Sequence, residues 1–103
     1  MSLNYHQRSE VWRSLNSDND IQRIFNGCGN LISYMFKIAH KLQREDIEEL
    51  QRELEKEKIA IDRIEQFPEM FSFTQEQKDE LIAQYDKHCE EVHKIDMRRL
   101  SWD

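Results

Sequence analysis

The segment from Asn30 to Phe67 contains neither proline nor glycine, and this absence constrains the fold more than any other feature of the chain. Proline breaks a helix and glycine weakens one, so a long run without either residue favours helix throughout. We therefore predict one long central helix over residues 30–67. The corresponding fold class is all-α: a helical hairpin or small helical bundle built on that helix.

Two apolar seams run through this segment at helical spacing. The first, with the four-three-four spacing of a coiled coil, is Leu31, Met35, Ile38 and Leu42. The second, which Glu57 interrupts, is Ile47, Leu50, Leu54, Ile61 and Ile64. The interval of five residues between Leu42 and Ile47 shifts the register. A tight turn at residues 43–46 would explain the shift, but none of these residues is a strong turn former, so we predict a continuous helix with a rotated face.

Such a helix would be a rod about 55 Å long, at a rise of about 1.5 Å per residue. The rest of a 103-residue chain is too short to cover that rod. We therefore predict a homo-oligomer that buries the exposed seam between copies. The residues predicted to make this self-association seam are Leu31, Met35, Ile38, Leu42, Leu50 and Leu54.

The flanking segments complete a single helical domain over residues 1–103. Short helices are expected within residues 4–26, where Ser17 can cap a helix. Gly27 and Gly29 favour a break or kink before the central helix; the alternative is that they lie inside a helix and let another helix approach closely. A return helix is expected over residues 75–99.

Two signals define the start of that return helix. Pro68 ends the preceding helix because proline disfavours α geometry in the residue before it. Thr74 and Gln77 then form the Thr-x-x-Gln pattern of a capping box. A short connection between two helices favours an antiparallel hairpin, so the return helix should pack along the second seam.

Composition narrows the possible functions. The formal net charge is −6, so the chain repels phosphate and nucleic acid is an unlikely partner. The longest apolar run is too short to cross a membrane. The two cysteines, Cys28 and Cys89, are expected to be free thiols of a reducing compartment, which predicts a cytoplasmic location.

One metal-binding pattern lies in the return helix, where Glu90 and His93 have the spacing used by di-metal helical bundles. Cys89 shares a helix face with His93, and a zinc site would need two further ligands, for which Cys28 and His40 are the obvious candidates. A core-edge cysteine beside two exposed side chains explains the same pattern. His88, on the apolar seam, is expected to be a buried histidine with a hydrogen-bond partner.

A second metal pattern is acidic. Glu45 and Glu49, followed later by Glu76 and Asp79, nearly match the magnesium-binding carboxylates of all-helical nucleotide pyrophosphohydrolases. In an antiparallel hairpin the two groups would lie at opposite ends, roughly 30 Å apart by helix rise. They would meet only across subunits, and such near matches are common in acidic chains.

These observations favour a non-enzymatic helical interaction protein, such as an adaptor, an assembly factor or a small inhibitor of another protein. It would contact itself and another protein through helix faces and would need no cofactor. The alternatives are a metal-dependent helical enzyme using Glu45, Glu49, Glu76, Asp79, Glu90 and His93, and a nucleic-acid binder using Arg98 and Arg99. A phage or mobile-element accessory protein that binds a host factor is a further hypothesis.

Overall fold

A computed structural model describes residues 3–101, and every regular element in that range is helical. The four α-helices are α1 (Tyr5–Ser14), α2 (Asp18–Lys37), α3 (Arg44–Gln66) and α4 (Gln75–Leu100). Two single 3₁₀ turns, Ala39–Lys41 and Pro68–Met70, lie between them. The all-α fold and the helical bundle predicted from the sequence are confirmed.

Helices α2, α3 and α4 pack against one another as a three-helix bundle, and α1 lies against α3. The order of contacts shows that α3 and α4 are antiparallel. The start of α3, at Ile47, faces Asp96 near the end of α4, whereas Ile64 near the end of α3 faces Leu81 near the start of α4. None of the helices within residues 3–101 is both long enough and apolar enough to span a membrane.

The single long helix predicted over residues 30–67 is wrong. Helix α2 ends at Lys37, one 3₁₀ turn follows, and Leu42 is extended, with φ −75° and ψ 146°. Helix α3 then begins at Arg44, where the backbone N–H of Gln43 donates to a carboxylate oxygen of Asp46 at 2.8 Å. The segment is therefore two helices joined by a short turn.

The register shift between the two seams is the physical reason for this break. In a continuous helix, residues five apart point about 140° away from each other, so Leu42 and Ile47 would face different sides. The turn lets both side chains enter the same core, where Leu42, Ile47 and Ala39 are all buried. Burial of these apolar groups outweighs the weak turn propensity of residues 43–46.

The turn also removes the original reason for predicting self-association. The folded chain measures 50 × 30 × 16 Å, so there is no uncovered rod. Three residues of the predicted seam, Met35, Leu42 and Leu50, are buried within this chain's own core. Self-association stays a prediction, and it must rest on other residues.

The break predicted at Gly27 and Gly29 is also wrong, because α2 runs through both glycines without interruption. Neither glycine has a positive φ. The expected cap is present: Ser17 accepts a hydrogen bond from the backbone N–H of Asp20 at 3.3 Å. One strong cap and a continuous apolar face are enough to carry the helix through two weak residues.

Helix α4 begins directly after Thr74, and the capping box is reciprocal. The Gln77 N–H donates to Thr74 Oγ1 at 3.1 Å, and the Thr74 N–H donates to Gln77 Oε1 at 2.9 Å. The helix extends to Leu100, close to the range expected for the return helix.

The interior is divided along the bundle into two apolar clusters. The cluster at the N-terminal half of α2 consists of Leu15, Ile21, Phe25, Ile59, Ala60, Ile61, Ile64, Phe71 and Leu81. The cluster near the α2–α3 turn is Cys28, Ile32, Met35, Ala39, Leu42, Ile47, Leu50, Val92 and Ile95. Between them, in chain order along α3 and α4, lie Glu57 and His88, the two buried residues with polar or charged side chains within residues 3–101.

Candidate functional site

Three side chains meet at the boundary between the two apolar clusters, one from each helix of the bundle. They are Cys28 of α2, Glu57 of α3 and His88 of α4, and one donor atom of each lies within 4.8 Å of the others. Within residues 3–101, no other group of three or more cysteine, histidine or acidic side chains has its donor atoms this close together.

Helical periodicity explains how the three side chains come to be inside. Cys28 lies one turn beyond the core residue Phe25, and His88 lies one turn before the core residue Val92. Glu57 occupies the position that interrupts the second apolar seam. When these apolar faces pack together, the polar residues are buried with them: Cys28 and Glu57 are each 0% exposed and His88 is 8% exposed.

The hydrogen bonding of the cluster is incomplete. His88 Nδ1 lies 2.6 Å from Glu57 Oε2, which is a short hydrogen bond between buried groups. The other carboxyl oxygen, Glu57 Oε1, is buried and has no hydrogen-bond partner among the described residues. An unsatisfied buried acceptor destabilises a fold by about 1–3 kcal/mol. The predicted hydrogen-bonded histidine is present, and its partner carries an oxygen that the fold leaves unpaired.

Burial holds the cluster in its neutral protonation states. Removal from water raises the pKa of Glu57 to about 8; the Cys28 thiol opposes this increase and the charge of Glu53 adds to it. Removal from water also lowers the pKa of His88, with a smaller opposing effect of Glu91 and a smaller reinforcing effect of Lys87. At neutral pH the pair therefore carries little net charge.

The Cys28 thiol is the least reactive member of the cluster. Burial raises its pKa far above the usual range, and the nearby Glu57 and Glu53 carboxylates act in the same direction. A nucleophilic cysteine requires a lowered pKa, because the thiolate is the attacking species. The arrangement is thus unsuited to cysteine nucleophilic catalysis, and suited to sharing a proton or donating sulfur, nitrogen and oxygen to a metal ion.

The raised pKa of Glu57 predicts a pH dependence of stability. The folded protein keeps this proton to about pH 8, whereas the unfolded carboxyl loses it near its model value of 4.5, so the folded state binds more protons between these limits. Stability then falls as pH rises. Between pH 7 and 8, where histidine is mostly neutral in the folded and the unfolded state, we expect metal-free protein to lose about 1 kcal/mol.

Urea unfolding in the presence of a chelator measures this loss, and the Glu57→Gln variant is its control. Glutamine has nearly the same shape and does not titrate, so the variant should show no such decline. An equal decline in the variant would assign the effect to another group.

The six residues of the predicted alternative metal sites are all exposed: Glu45, Glu49, Glu76, Asp79, Glu90 and His93. Glu45 and Glu49 lie at the start of α3, and Glu76 and Asp79 at the start of α4, which are opposite ends of the antiparallel pair. The fold thus keeps the two halves of the acidic pattern apart within one chain.

The other predicted metal residues are also separated. Cys89 is half-buried and lies beside the hydroxyl of Tyr85, whereas His93 is exposed one turn further along α4. His40 is exposed in the 3₁₀ turn after α2. Of the four zinc candidates named from the sequence, only Cys28 belongs to the buried cluster.

The self-association seam is divided by the fold. Met35, Leu42 and Leu50 are buried in the cluster near the α2–α3 turn. Leu31, Ile38 and Leu54 pack against the same cluster but stay partly exposed.

Each member of the buried cluster is recognisable in the sequence as a residue at a core position of its helix, but the sequence did not indicate that the three lie together. Glu57 interrupts an apolar seam, His88 lies within one, and Cys28 continues the spacing of Ile21 and Phe25. Polar residues at core positions of three different helices were the signal for a shared site. The three residues lie at the same level along the bundle axis only because a turn separates α2 from α3. The predicted continuous helix over residues 30–67 had no such turn.

Comparisons with known proteins do not assign the site to a family. No family model matches this chain, and no curated protein or solved structure matches it either. The functional argument therefore rests on the residues and their geometry.

Proposed function

We propose that this chain is a non-enzymatic helical interaction protein that associates with a second copy of itself through the α2–α3 face. The observation that carries the proposal is Tyr34, a large aromatic residue that is 61% exposed near the end of α2. Leu31 and Ile38, three residues before and four residues after it, are partly exposed on the same helix. This spacing is that of a helix–helix contact seam.

The charge distribution supports a second copy as the occupant of this face. Residues 21–43 contain the cations Arg23, Lys37 and Lys41 and no acidic residue, although the chain as a whole is acidic. The adjoining helix α3 carries exposed carboxylates, among them Glu45 and Glu49. In a two-fold dimer, Lys37 at the end of α2 and Lys41 in the turn after it can lie against the acidic helix α3 of the other copy, so both contacts form at once.

The space beside α2 is open to such a contact. A groove bordered by α2, α3 and the end of α1 has Arg23, Ile24, Gly27 and Glu53 among its lining residues. A methyl group added at Gly27 would meet no atom within 4 Å. A helix of the second copy can therefore approach α2 closely at this position.

The substitution Tyr34→Glu tests the proposal. It places a charge at the centre of the proposed contact while leaving the chain's own core untouched, so we expect a dimer at least tenfold weaker, equivalent to about 1.4 kcal/mol. Sedimentation velocity over a range of protein concentrations measures the change. Added salt should also weaken the wild-type dimer, because it screens the contact between α2 and α3.

Tyr5→Glu is the matched control, since Tyr5 is an exposed tyrosine on α1, away from α2. It should leave the dimer intact. A wild-type protein that remains monomeric at every concentration would overturn the proposed self-association, as would equal effects of the two substitutions.

A further inference from the structure

We propose that Cys28, Glu57 and His88 form a buried binding site for a divalent transition-metal ion, with zinc the best match to the donor set. The site lies at the boundary between the two apolar clusters and takes one ligand from each of α2, α3 and α4. It differs from the exposed acidic sites predicted from the sequence, and it departs from the expectation that the chain carries no cofactor.

The chemistry of the three donors selects the class of ion. Thiolate sulfur, imidazole nitrogen and carboxylate oxygen are the three donor types that zinc uses in proteins. Magnesium and calcium prefer oxygen donors alone, so a cysteine–histidine pair argues against them. Three protein ligands leave the fourth tetrahedral position for a water molecule or another small ligand.

The spacing of the donors is close to that of a zinc site. Zinc bonds of about 2.0–2.3 Å place tetrahedral donors roughly 3.3–3.8 Å apart. The three donor atoms lie within 4.8 Å of one another, and the nearest pair, in His88 and Glu57, is 2.6 Å apart. Shifts of about 1 Å in the positions of the donor atoms, by side-chain rotation, bring them to these separations.

The unpaired oxygen Glu57 Oε1 is the independent observation that points to a ligand. It belongs to a side chain that is 0% exposed, and no described group makes a hydrogen bond of standard geometry to it, although the Cys28 thiol lies beside the same carboxyl group and lowers its pKa. Buried polar atoms are normally satisfied, so an orphan acceptor in a group of metal-ligating side chains requires an explanation. Coordination of a cation satisfies it.

Charge balance supports a dication in this position. A bound divalent ion displaces protons from the thiol and the carboxyl group, so the filled site holds one thiolate, one carboxylate and one dication. These charges sum to zero, which is the arrangement that burial tolerates best. The ion would tie the three helices together at the polar boundary that separates their apolar contacts.

Zinc binding to the purified full-length protein tests the proposal. After chelator treatment and dialysis against zinc, we expect one tightly held ion per chain in the wild type. The variants Cys28→Ser, Glu57→Gln and His88→Gln should each weaken zinc binding at least tenfold. Cys89→Ser and His93→Ala change residues of types that can bind zinc but that lie outside the cluster, on the same helix as His88. Both variants should bind zinc as the wild type does.

Cobalt substitution identifies the ligands independently of affinity. A tetrahedral cobalt site with a cysteine ligand shows visible d–d bands and a sulfur-to-metal charge-transfer band in the near ultraviolet. We expect both in the wild type and in Cys89→Ser, and we expect the charge-transfer band to disappear in Cys28→Ser. Circular dichroism of each metal-free variant verifies that it is folded.

Thermal unfolding gives a second readout, because an ion that binds only the folded state raises the melting temperature. Zinc should raise it in the wild type and in the Tyr34→Glu variant, and at the same zinc concentration should raise it much less in Glu57→Gln. The Tyr34→Glu result separates this proposal from self-association. A folded wild type that takes up no zinc would overturn the metal site, and so would cluster variants that bind zinc as tightly as the wild type.

Discussion

The substitution Leu50→Asp should severely destabilise the folded chain at every protein concentration. Leu50 is 0% exposed in the cluster near the α2–α3 turn, whose buried members are apolar side chains and the Cys28 thiol. Burying an unpaired charge in such a place is one of the most destabilising changes a core accepts, and we expect a loss of at least about 4–5 kcal/mol. A domain of this size has a total stability of roughly 5–15 kcal/mol, so the substitution should remove a third of it or more.

The helical circular dichroism signal, followed during urea unfolding, measures this effect. Gln51→Asp provides the matched control, because it introduces the same side chain at the next position, which is exposed on the surface of α3. The control should change stability by less than about 0.5 kcal/mol. A Leu50→Asp variant as stable as this control would show that Leu50 is not a core residue of the single chain.

Concentration dependence gives this substitution a second use. Leu50 was predicted from the sequence to contact a second copy. If that were its only role, the substitution would destabilise the protein only at concentrations at which copies associate. The structure places Leu50 inside one chain, so the damage should persist in dilute protein, where only monomers remain.

The substitution Phe25→Ala should destabilise the other half of the interior by about 3–5 kcal/mol. Phe25 is the largest fully buried side chain of its cluster, which also holds Ile21, Ile61 and Leu81. Truncation removes most of a buried aromatic ring and leaves a cavity within this cluster. For a domain of about 100 residues the melting temperature should fall by roughly 15–30 °C.

Differential scanning calorimetry measures the fall. Gln22→Ala, on the exposed side of the same helix, controls for the change in helix propensity. A loss for Phe25→Ala below about 1 kcal/mol would mean that this cluster packs loosely and does not form a true core.

The helices themselves were largely predictable from the sequence, because their signals are local. Ser17, and Thr74 with Gln77, cap the helices that follow them, as their spacing indicates. Apolar residues at intervals of three and four then mark the buried faces, so most core residues of α3 and α4 could be named in advance.

The turn between α2 and α3 was not predictable in the same way. Residues 43–46 carry no strong turn former, and the reciprocal cap between Gln43 and Asp46 differs from the usual serine or threonine pattern. The five-residue interval between Leu42 and Ile47 was the useful signal. Its meaning depended on both residues being buried in one core, which is a property of the tertiary structure.

The buried cluster required that missing information. Cys28, Glu57 and His88 are separated by about thirty residues each in the chain, and each alone is consistent with an ordinary core position. Only the antiparallel return of α3 along α2 sets Glu57 beside Cys28, and only the packing of α4 adds His88. Residue types predicted a metal site in principle, but the helix register decides which residues form it.

The most direct test of the proposed metal site is anomalous X-ray scattering at the zinc edge, from crystals of the full-length protein grown with zinc. We expect one strong anomalous peak per chain, within bonding distance of Cys28, Glu57 and His88. The absence of a peak at that position in well-ordered crystals would contradict the account. A peak only at Glu90 and His93, or only at Glu45 and Glu49, would contradict it equally, because the metal would then bind the surface and not the boundary between the two halves of the core.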